Sequence, residues 1–304
     1  MDESIGYLGP GVMGRAIVKR LLSAGIQVTV FAHREALDLE ELRRSGALIT
    51  TSPDALAEKN RMIMLTLPSS REVERAILGP PGLLDRLREG SVVIDLSTSL
   101  PTSTEMLAAR LREQRIDMLD APMAGGPRQA AAGELTLMVG GNKEVYERCL
   151  PVLRAIAKHV FFVGGTGHGH TVKLINNFFA LLNNAAIAEV LPLAVKCGID
   201  IRAMSDVIHV SWGDSRVFEL MVPAICRRDF AVTFPLKLCH KDVSYMSALG
   251  REHGVPLPMV NSTLQVFDLA SACGLGEENS SALVKLWERI SQVEVHATLE
   301  RGSS

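Results

Sequence analysis

Lys173 and Asn177 stand four residues apart in the apolar run Val172–Val195. On a helix that spacing puts both side chains on one face, where an ammonium and a carboxamide can meet one small polar molecule. Burial disfavours the charged form of a lysine and brings its proton exchange toward neutral pH. The pair therefore suits acid/base work at an oxygen atom. The bland alternative is a lysine snorkelling from a helix terminus, and helix position alone favours that alternative. Asn176, off by one position, reads as a helix or cofactor contact.

A second group of residues supplies a context. Gly9-Pro10-Gly11-Val12-Met13-Gly14 follows a strand-like segment and opens an amphipathic one. In a GxGxxG turn the first glycine permits the tight bend, the second lets backbone approach a pyrophosphate, and the third allows close helix–strand packing. The helix that follows offers free N–H groups to the phosphate. Pro10 removes one donor, at a position that need not face the ligand. At the end of the second predicted strand, Val30-Phe31-Ala32-His33-Arg34-Glu35 has no acid before Glu35. An acid there would take the ribose hydroxyl of NAD, whereas Arg34 with His33 suits the 2′-phosphate of NADP. NADP is expected, with NAD possible; Arg34 as an ordinary solvated loop charge is the alternative. A nicotinamide cofactor gives Lys173 a reaction. Hydride delivery to a carbonyl leaves negative charge on its oxygen, which a placed donor neutralises, and the reverse direction needs a base.

The elements that must position these residues follow a simple order. Strand patterns fall at Ser4–Leu8, Gln27–Ala32, Met62–Leu65, Val92–Leu96, Asp117–Asp120, Leu135–Val139 and Val160–Val163. Helical patterns such as Val12–Ala24, Glu72–Ile77 and Thr102–Gln114 lie between several of them, which predicts a largely parallel α/β sheet. Glu134–Gly141 reads as a mixed or antiparallel edge. After Gly169 only helical patterns remain: Val172–Cys197, Ile201–His209, Phe218–Ala224, Lys237–His253, Pro258–Ala272 and Ser281–Ala297. The expected fold is an N-terminal Rossmann-type dinucleotide-binding domain, residues 1–165, followed by an all-α C-terminal domain, residues 166–304. A long interdomain helix joins them at the Gly-rich stretch Gly164–Gly169.

Bulk properties narrow the classes. The chain of 304 residues carries a net charge of -2, which argues against broad phosphate-backbone binding and hence against nucleic acid as a partner. Five scattered cysteines without a CxxC pair make a disulfide framework or thiolate zinc site a poor fit, and a reducing cytoplasm is expected. The start MDESIGYLG lacks a secretory pattern. The apolar run near Lys173 contains asparagines and Glu189, costly in a bilayer, so it reads as a buried helix and no membrane association is expected. His168 and His170 have HxH spacing but no completing ligand, so they read as loop residues and no metal is expected. Trp212 with Phe218 reads as packing.

Four ordered motifs extend the reading across the chain: IGYLGPGVMG (Ile5–Gly14), DAPMAGGPRQAAAGELTLMVGG (Asp120–Gly141), GTGHGHTVKLINN (Gly165–Asn177), and Lys241-Asp242 within FPLKLCHKD. With these the chain resembles the β-hydroxyacid dehydrogenase family, which includes 3-hydroxyisobutyrate dehydrogenase, tartronate semialdehyde reductase and glyoxylate/succinic semialdehyde reductases. The resemblance implies a dehydrogenase or reductase of a small β-hydroxy acid or semialdehyde, a 6-phosphogluconate dehydrogenase-like C-terminal domain, and a homodimer or homotetramer. By position it implies that Lys173 is the catalytic acid/base and that Asn177 orients the substrate. Leu67, Pro68 and Thr98 would line the cofactor, and Lys241 would contact it. Gly125 and Gly126 would hold the substrate carboxylate, with Phe234 and Asp242 closing the site. Thr98 ends a predicted strand at the edge of the sheet where ligands of such folds bind, with a helix cap before Pro101 as the alternative; for Lys241-Asp242 the alternative is a surface ion pair.

One position departs from the family pattern. Ala124 stands where a serine hydroxyl would help bind the carboxylate. Loss of such a bond costs on the order of 1.5–3 kcal/mol, so the acid is gripped elsewhere, with Arg128 one candidate, or differs in size or chemistry. A larger acid, a sulfonate or an imine is the alternative substrate class. A non-catalytic cofactor-binding scaffold is the alternative function, and the retained Lys173 argues against it.

Overall fold

A computed structural model describes residues 4–32, 39–80 and 82–296. His33 and Arg34, the expected determinants of cofactor choice, lie outside the described residues. The chain divides into two compact units, Met1–Lys173 and Leu174–Ser304, with the division inside a single helix.

The first unit alternates strands and helices. Its strands are β1 (Ile5–Leu8), β2 (Val28–Phe31), β3 (Leu48–Thr50), β4 (Met62–Leu65), β5 (Val92–Asp95), β6 (Asp117–Asp120), β7 (Met123–Ala124), β8 (Leu135–Gly141) and β9 (Ala157–Gly164). Its helices are α1 (Val12–Ser23), α2 (Glu40–Arg44), α3 (Pro53–Lys59), α4 (Ser70–Leu78), α5 (Pro101–Glu113), α6 (Pro127–Ala132) and α7 (Lys143–Ile156), and α8 (His168–Lys196) begins here. Strands β3-β2-β1-β4-β5-β6 are parallel in that order, the arrangement of a dinucleotide-binding fold. Beyond β6, β8 runs antiparallel to β6 and β7 and parallel to β9. The mixed character expected of Glu134–Gly141 is present, but β8 has three strand partners and is not an edge.

The runs IGYL, MIML and VVID are buried at every position, because helices cover both faces of a parallel sheet. Alternation sends Tyr7, Met64 and Ile94 to one core and Leu8, Ile63, Leu65 and Val93 to the other. Helix α1 presents Gly14, Ile17, Val18 and Leu21 inward, a helical stripe.

In the second unit, α8 continues and is followed by α9 (Ile201–His209), α10 (Arg216–Cys226), α11 (Leu236–Glu252) and α12 (Pro258–Ala272). The helix expected over Ser281–Ala297 is instead a 3-10 turn, Ser280–Leu283, leading into α13 (Val284–Ser291). Gln292 ends it in the left-handed conformation, φ 54°, which breaks the helical hydrogen-bond ladder. Helix α8 is long and apolar enough to cross a bilayer, but its stripe Leu181, Ala185, Ala188 and Leu191 packs into the core of this unit. Phe218 joins that core, whereas Trp212 is fully exposed. The expected packing role of Trp212 is therefore wrong, since it lies in the short connection before α10 rather than on a helix face.

Candidate active site

The parallel strands of the first unit place their C-terminal ends along one edge, and the predicted residues follow those ends. Gly9 to Gly14 follow β1, Leu67 and Pro68 follow β4, Thr98 follows β5, and Gly125 and Gly126 follow β7. The edge of an open α/β sheet is where such folds bind ligands.

The three motif glycines are needed for different reasons. Gly9 has φ +86°, and a Cβ there would overlap the carbonyl oxygen of Thr66. A Cβ on Gly14 would overlap the carbonyl oxygen of Gly9 and reach the Tyr7 ring at 3.1 Å. Gly11 has an ordinary φ of -74°, and its Cβ would meet nothing within 4 Å. Folding thus requires glycine at 9 and 14 but not at 11, where a Cβ would meet no neighbour. Gly11 caps α1 without a side-chain hydrogen bond, and the first turn of the helix holds no acid. Val12, which begins the helix, is exposed, and a helix start of this kind is a fit to a pyrophosphate. Pro10 is buried and Met13 half-buried.

Thr98 does not cap α5. That position is Leu100, with Pro101 beginning the helix. Next to Thr98, the Ser97 hydroxyl accepts the Leu67 N–H at 2.9 Å, tying together two loops expected to line the cofactor. Gly125 has φ +122°, and a Cβ there would lie 2.9 Å from Leu135. The Gly126 N–H already donates to Gln129 Oε1 at 3.0 Å. Gln129 is exposed. Ala124 is half-buried in β7 opposite Thr136, and Arg128 is exposed on α6.

Lys173 lies at the second turn of α8 and is 8% exposed, which does not match a snorkelling side chain. His168 and His170 are not loop residues: they begin α8. His170 is fully buried, with ring nitrogens bonded to Thr104 Oγ1 at 2.7 Å and the Ser97 carbonyl oxygen at 3.1 Å. Asp120, at the end of β6, accepts the N–H groups of Gly167 and His170, each at 2.9 Å. Burial raises its carboxyl above the usual range, opposed by the His170 charge and by backbone hydrogen bonds. From the sequence Asp120 has no role beyond opening the second motif, and His170 reads as a loop residue. A polar residue ending an apolar strand was the available signal.

In the second unit, Asn177 Nδ2 donates to Asp242 Oδ2 at 2.6 Å, and Lys241 Nζ lies 3.0 Å from Asp242 Oδ1. Asp242 is 3% exposed and the Lys241 side chain 16%, so they do not form a surface ion pair. Lys241 also sits over the Tyr245 ring at 4.9 Å. The Asp242 contact uses one of the two amide hydrogens of Asn177. Phe234 is half-buried, and Asn279 Oδ1 accepts its N–H at 3.2 Å.

Comparison with known proteins agrees with this architecture. Residues 4–165 match the NAD-binding domain of 6-phosphogluconate dehydrogenase, and residues 167–287 match the NAD-binding domain of NADP-dependent 3-hydroxyisobutyrate dehydrogenase. The chain is 38% identical to 2-(hydroxymethyl)glutarate dehydrogenase of Eubacterium barkeri, over 97% of this chain and 99% of that one. A 3-hydroxyisobutyrate dehydrogenase structure from Salmonella typhimurium superposes with TM-score 0.84 at 29% identity, covering 93% of this chain and 99% of the other. A structure of Psf3 in complex with NADP+ and 2-OPP gives TM-score 0.82 at 28% identity, with the same coverage. The chain belongs to the β-hydroxyacid dehydrogenase family and is an oxidoreductase that acts on CH–OH groups with NADP or NAD.

Proposed function

We propose that this enzyme moves a hydride between NADP(H), or NAD(H), and a small β-hydroxy acid or its semialdehyde, with Lys173 as the acid/base. The observation that carries the reading is Lys173 itself, an 8%-exposed lysine on a helix that starts at the ligand-binding edge of the sheet. When bound, the nicotinamide supplies or accepts the hydride at the substrate carbon. The Lys173 ammonium gives a proton to the carbonyl oxygen as charge develops there, and its amine takes the hydroxyl proton in the reverse direction. Asn177, one turn further along α8 and fixed by Asp242, orients the reacting oxygen with its remaining amide hydrogen. Backbone N–H groups at Gly125 and Gly126 hold the carboxylate, Gln129 yielding its contact. Leu67, Pro68 and Thr98 flank the cofactor, Lys241 contacts it, and Phe234 with Asp242 closes the site. The preference for NADP rests on His33 and Arg34 in the sequence.

A second reading concerns the substrate. Ala124 in place of serine, together with the 38% identity to an enzyme named for a hydroxymethyl dicarboxylic acid, favours a larger acid over the smallest members of the class. Residues 1–165 are then the cofactor domain, and 166–304 the domain for substrate and self-association. Exposed apolar side chains on the second unit, including Phe179, Leu193, Trp212 and Leu220, support a homodimer or homotetramer.

Lys173→Ala tests the mechanism. Removing a general acid/base costs about 10²–10⁴-fold in turnover, while NADPH binding measured by fluorescence should be unchanged. Turnover within a few-fold of the parent on a panel of semialdehydes and hydroxy acids would overturn the assignment.

A further inference from the structure

We propose that Asp120 and His170 form a buried clamp that positions Lys173, and that the same clamp links the lysine helix to the loops flanking the cofactor. The inference rests on the acid/base reading of Lys173 and names the residues that set its place. All of the clamp lies in the first unit.

The N-terminus of a helix exposes N–H groups without helical partners. At α8 the Asp120 carboxylate takes two of them, from Gly167 at 2.9 Å on one oxygen and His170 at 2.9 Å on the other. Two bonds to two oxygens of one carboxylate restrain both rotation and slide of the first turn. The helix start also sits flush on the sheet. A Cβ on Gly169 would overlap the Met138 carbonyl oxygen and lie 2.7 Å from that of Asp120, and one on Gly140 would lie 2.8 Å from the Gly169 nitrogen.

His170 extends the restraint sideways. Its Nδ1 meets Thr104 Oγ1 on α5 at 2.7 Å, its Nε2 meets the Ser97 carbonyl oxygen at 3.1 Å, and Asp95 Oδ2 lies 3.7 Å from Nε2. Asp95 in turn accepts the Ser97 N–H at 2.9 Å and the Ser99 hydroxyl at 3.0 Å. The Ser97 hydroxyl holds the Leu67 N–H. Asp95, Asp120 and His170 are all 0% exposed, and Thr104 is 1% exposed. A continuous set of bonds therefore runs from the loops after β4 and β5 to the residue three positions before Lys173. Positions i and i+3 are neighbours on a helix surface, so a shift of His170 is a shift of Lys173. Misplacement of a reacting group by about 1 Å can cost on the order of 10²-fold in rate. The clamp residues are positioning residues, without contact to substrate.

His170→Leu and Thr104→Val test the clamp in the full-length enzyme, with His170→Gln as the conservative rescue because its amide can still bond both sides. Expected for His170→Leu is a fall in kcat of about 10²-fold with KM within a few-fold. Thr104→Val should fall about tenfold, and His170→Gln should recover most of the loss. A second readout does not depend on turnover: the rate of Lys173 acylation by a small reagent, followed by mass spectrometry across about pH 6–10, the range in which lysines change reactivity. A displaced lysine gives a shifted profile. Folded His170→Leu and Thr104→Val with parental kcat and a parental Lys173 profile would overturn the clamp. Should His170→Leu fail to fold, Thr104→Val decides alone, since it keeps the ring and both Asp120 bonds. Should the parent itself reduce no semialdehyde, the functional reading fails, and the acylation profiles still decide the clamp.

Discussion

Gly9 and Gly11 belong to one motif, yet alanine at each should produce opposite failures. At Gly9 a methyl group meets two obstacles. The backbone has φ +86°, where an L side chain costs roughly 1–2 kcal/mol. The Cβ also overlaps the Thr66 carbonyl oxygen, a backbone atom of the neighbouring strand end, and overpacking costs about 1–3 kcal/mol. Together Gly9→Ala should lose about 2–5 kcal/mol of stability, or roughly 4–20 °C in Tm for a unit of this size. At Gly11 neither obstacle exists. Alanine is a poorer helix cap than glycine by about 0.5–1 kcal/mol, and the stiffer unfolded chain returns roughly 0.4–1 kcal/mol. Stability should stay within about 0.5 kcal/mol of the parent. On the proposed function the methyl group instead occupies the space through which a pyrophosphate would approach the backbone, and each charge-assisted bond lost there is worth about 1.5–3 kcal/mol. NADPH should therefore bind Gly11→Ala about 10- to 150-fold more weakly. Thermal unfolding without cofactor and a fluorescence titration with NADPH separate the two effects. A Gly11→Ala protein as unstable as Gly9→Ala, or one that binds NADPH like the parent, would refute the division of labour.

Three further outcomes can be checked. Ala124→Ser restores a hydroxyl beside Gly125 and should lower KM for a small hydroxy acid by about 10- to 150-fold, from a bond of roughly 1.5–3 kcal/mol to a charged group; steady-state kinetics showing no change would remove Ala124 as a selector. Glu288 is 7% exposed and pairs with Arg228 through contacts at 2.5 and 3.1 Å while accepting the Val295 N–H at 2.8 Å. Glu288→Ala should cost about 1–3 kcal/mol in urea denaturation, at the low side for a buried pair because the partly exposed guanidinium can rehydrate; an unchanged midpoint would contradict this. The raised carboxyl of Asp120 means the native state holds that proton to higher pH than the unfolded chain, where it leaves near ~3.9. Its contribution is full below that value and is lost as pH rises through the native value. Asp120→Asn should lack this downward slope, and an equally steep fall in its denaturation midpoints would exclude Asp120 as the source.

Much of the scaffold was legible because its signals are local. β4 and β6 were bounded to the residue, as were α9 and α12, since apolar runs and helical stripes stand between clear breaks. β3 and β7 were missed: three and two residues are too short to show a period, and only pairing with β2 and β8 makes them strands. Helix α7 was missed because Pro151 interrupts its pattern, although Asn142 caps it and Val145, Cys149, Val152 and Ile156 form a buried stripe.

The site divides in the same way. Residue type and spacing were enough to mark Gly9, Gly11 and Gly14, and to put Lys173 and Asn177 one turn apart, because a turn and a helix are short-range geometries. Which of these glycines the fold itself requires was decided only by the neighbour across the turn, the Thr66 carbonyl against Gly9 and nothing against Gly11. Tertiary structure alone joined Asp120 to His170, which are 50 positions apart, and Asn177 to Asp242, which are 65 apart. Buried polar atoms must find partners wherever the chain brings them. That requirement acts through space, so a linear pattern carries no record of it.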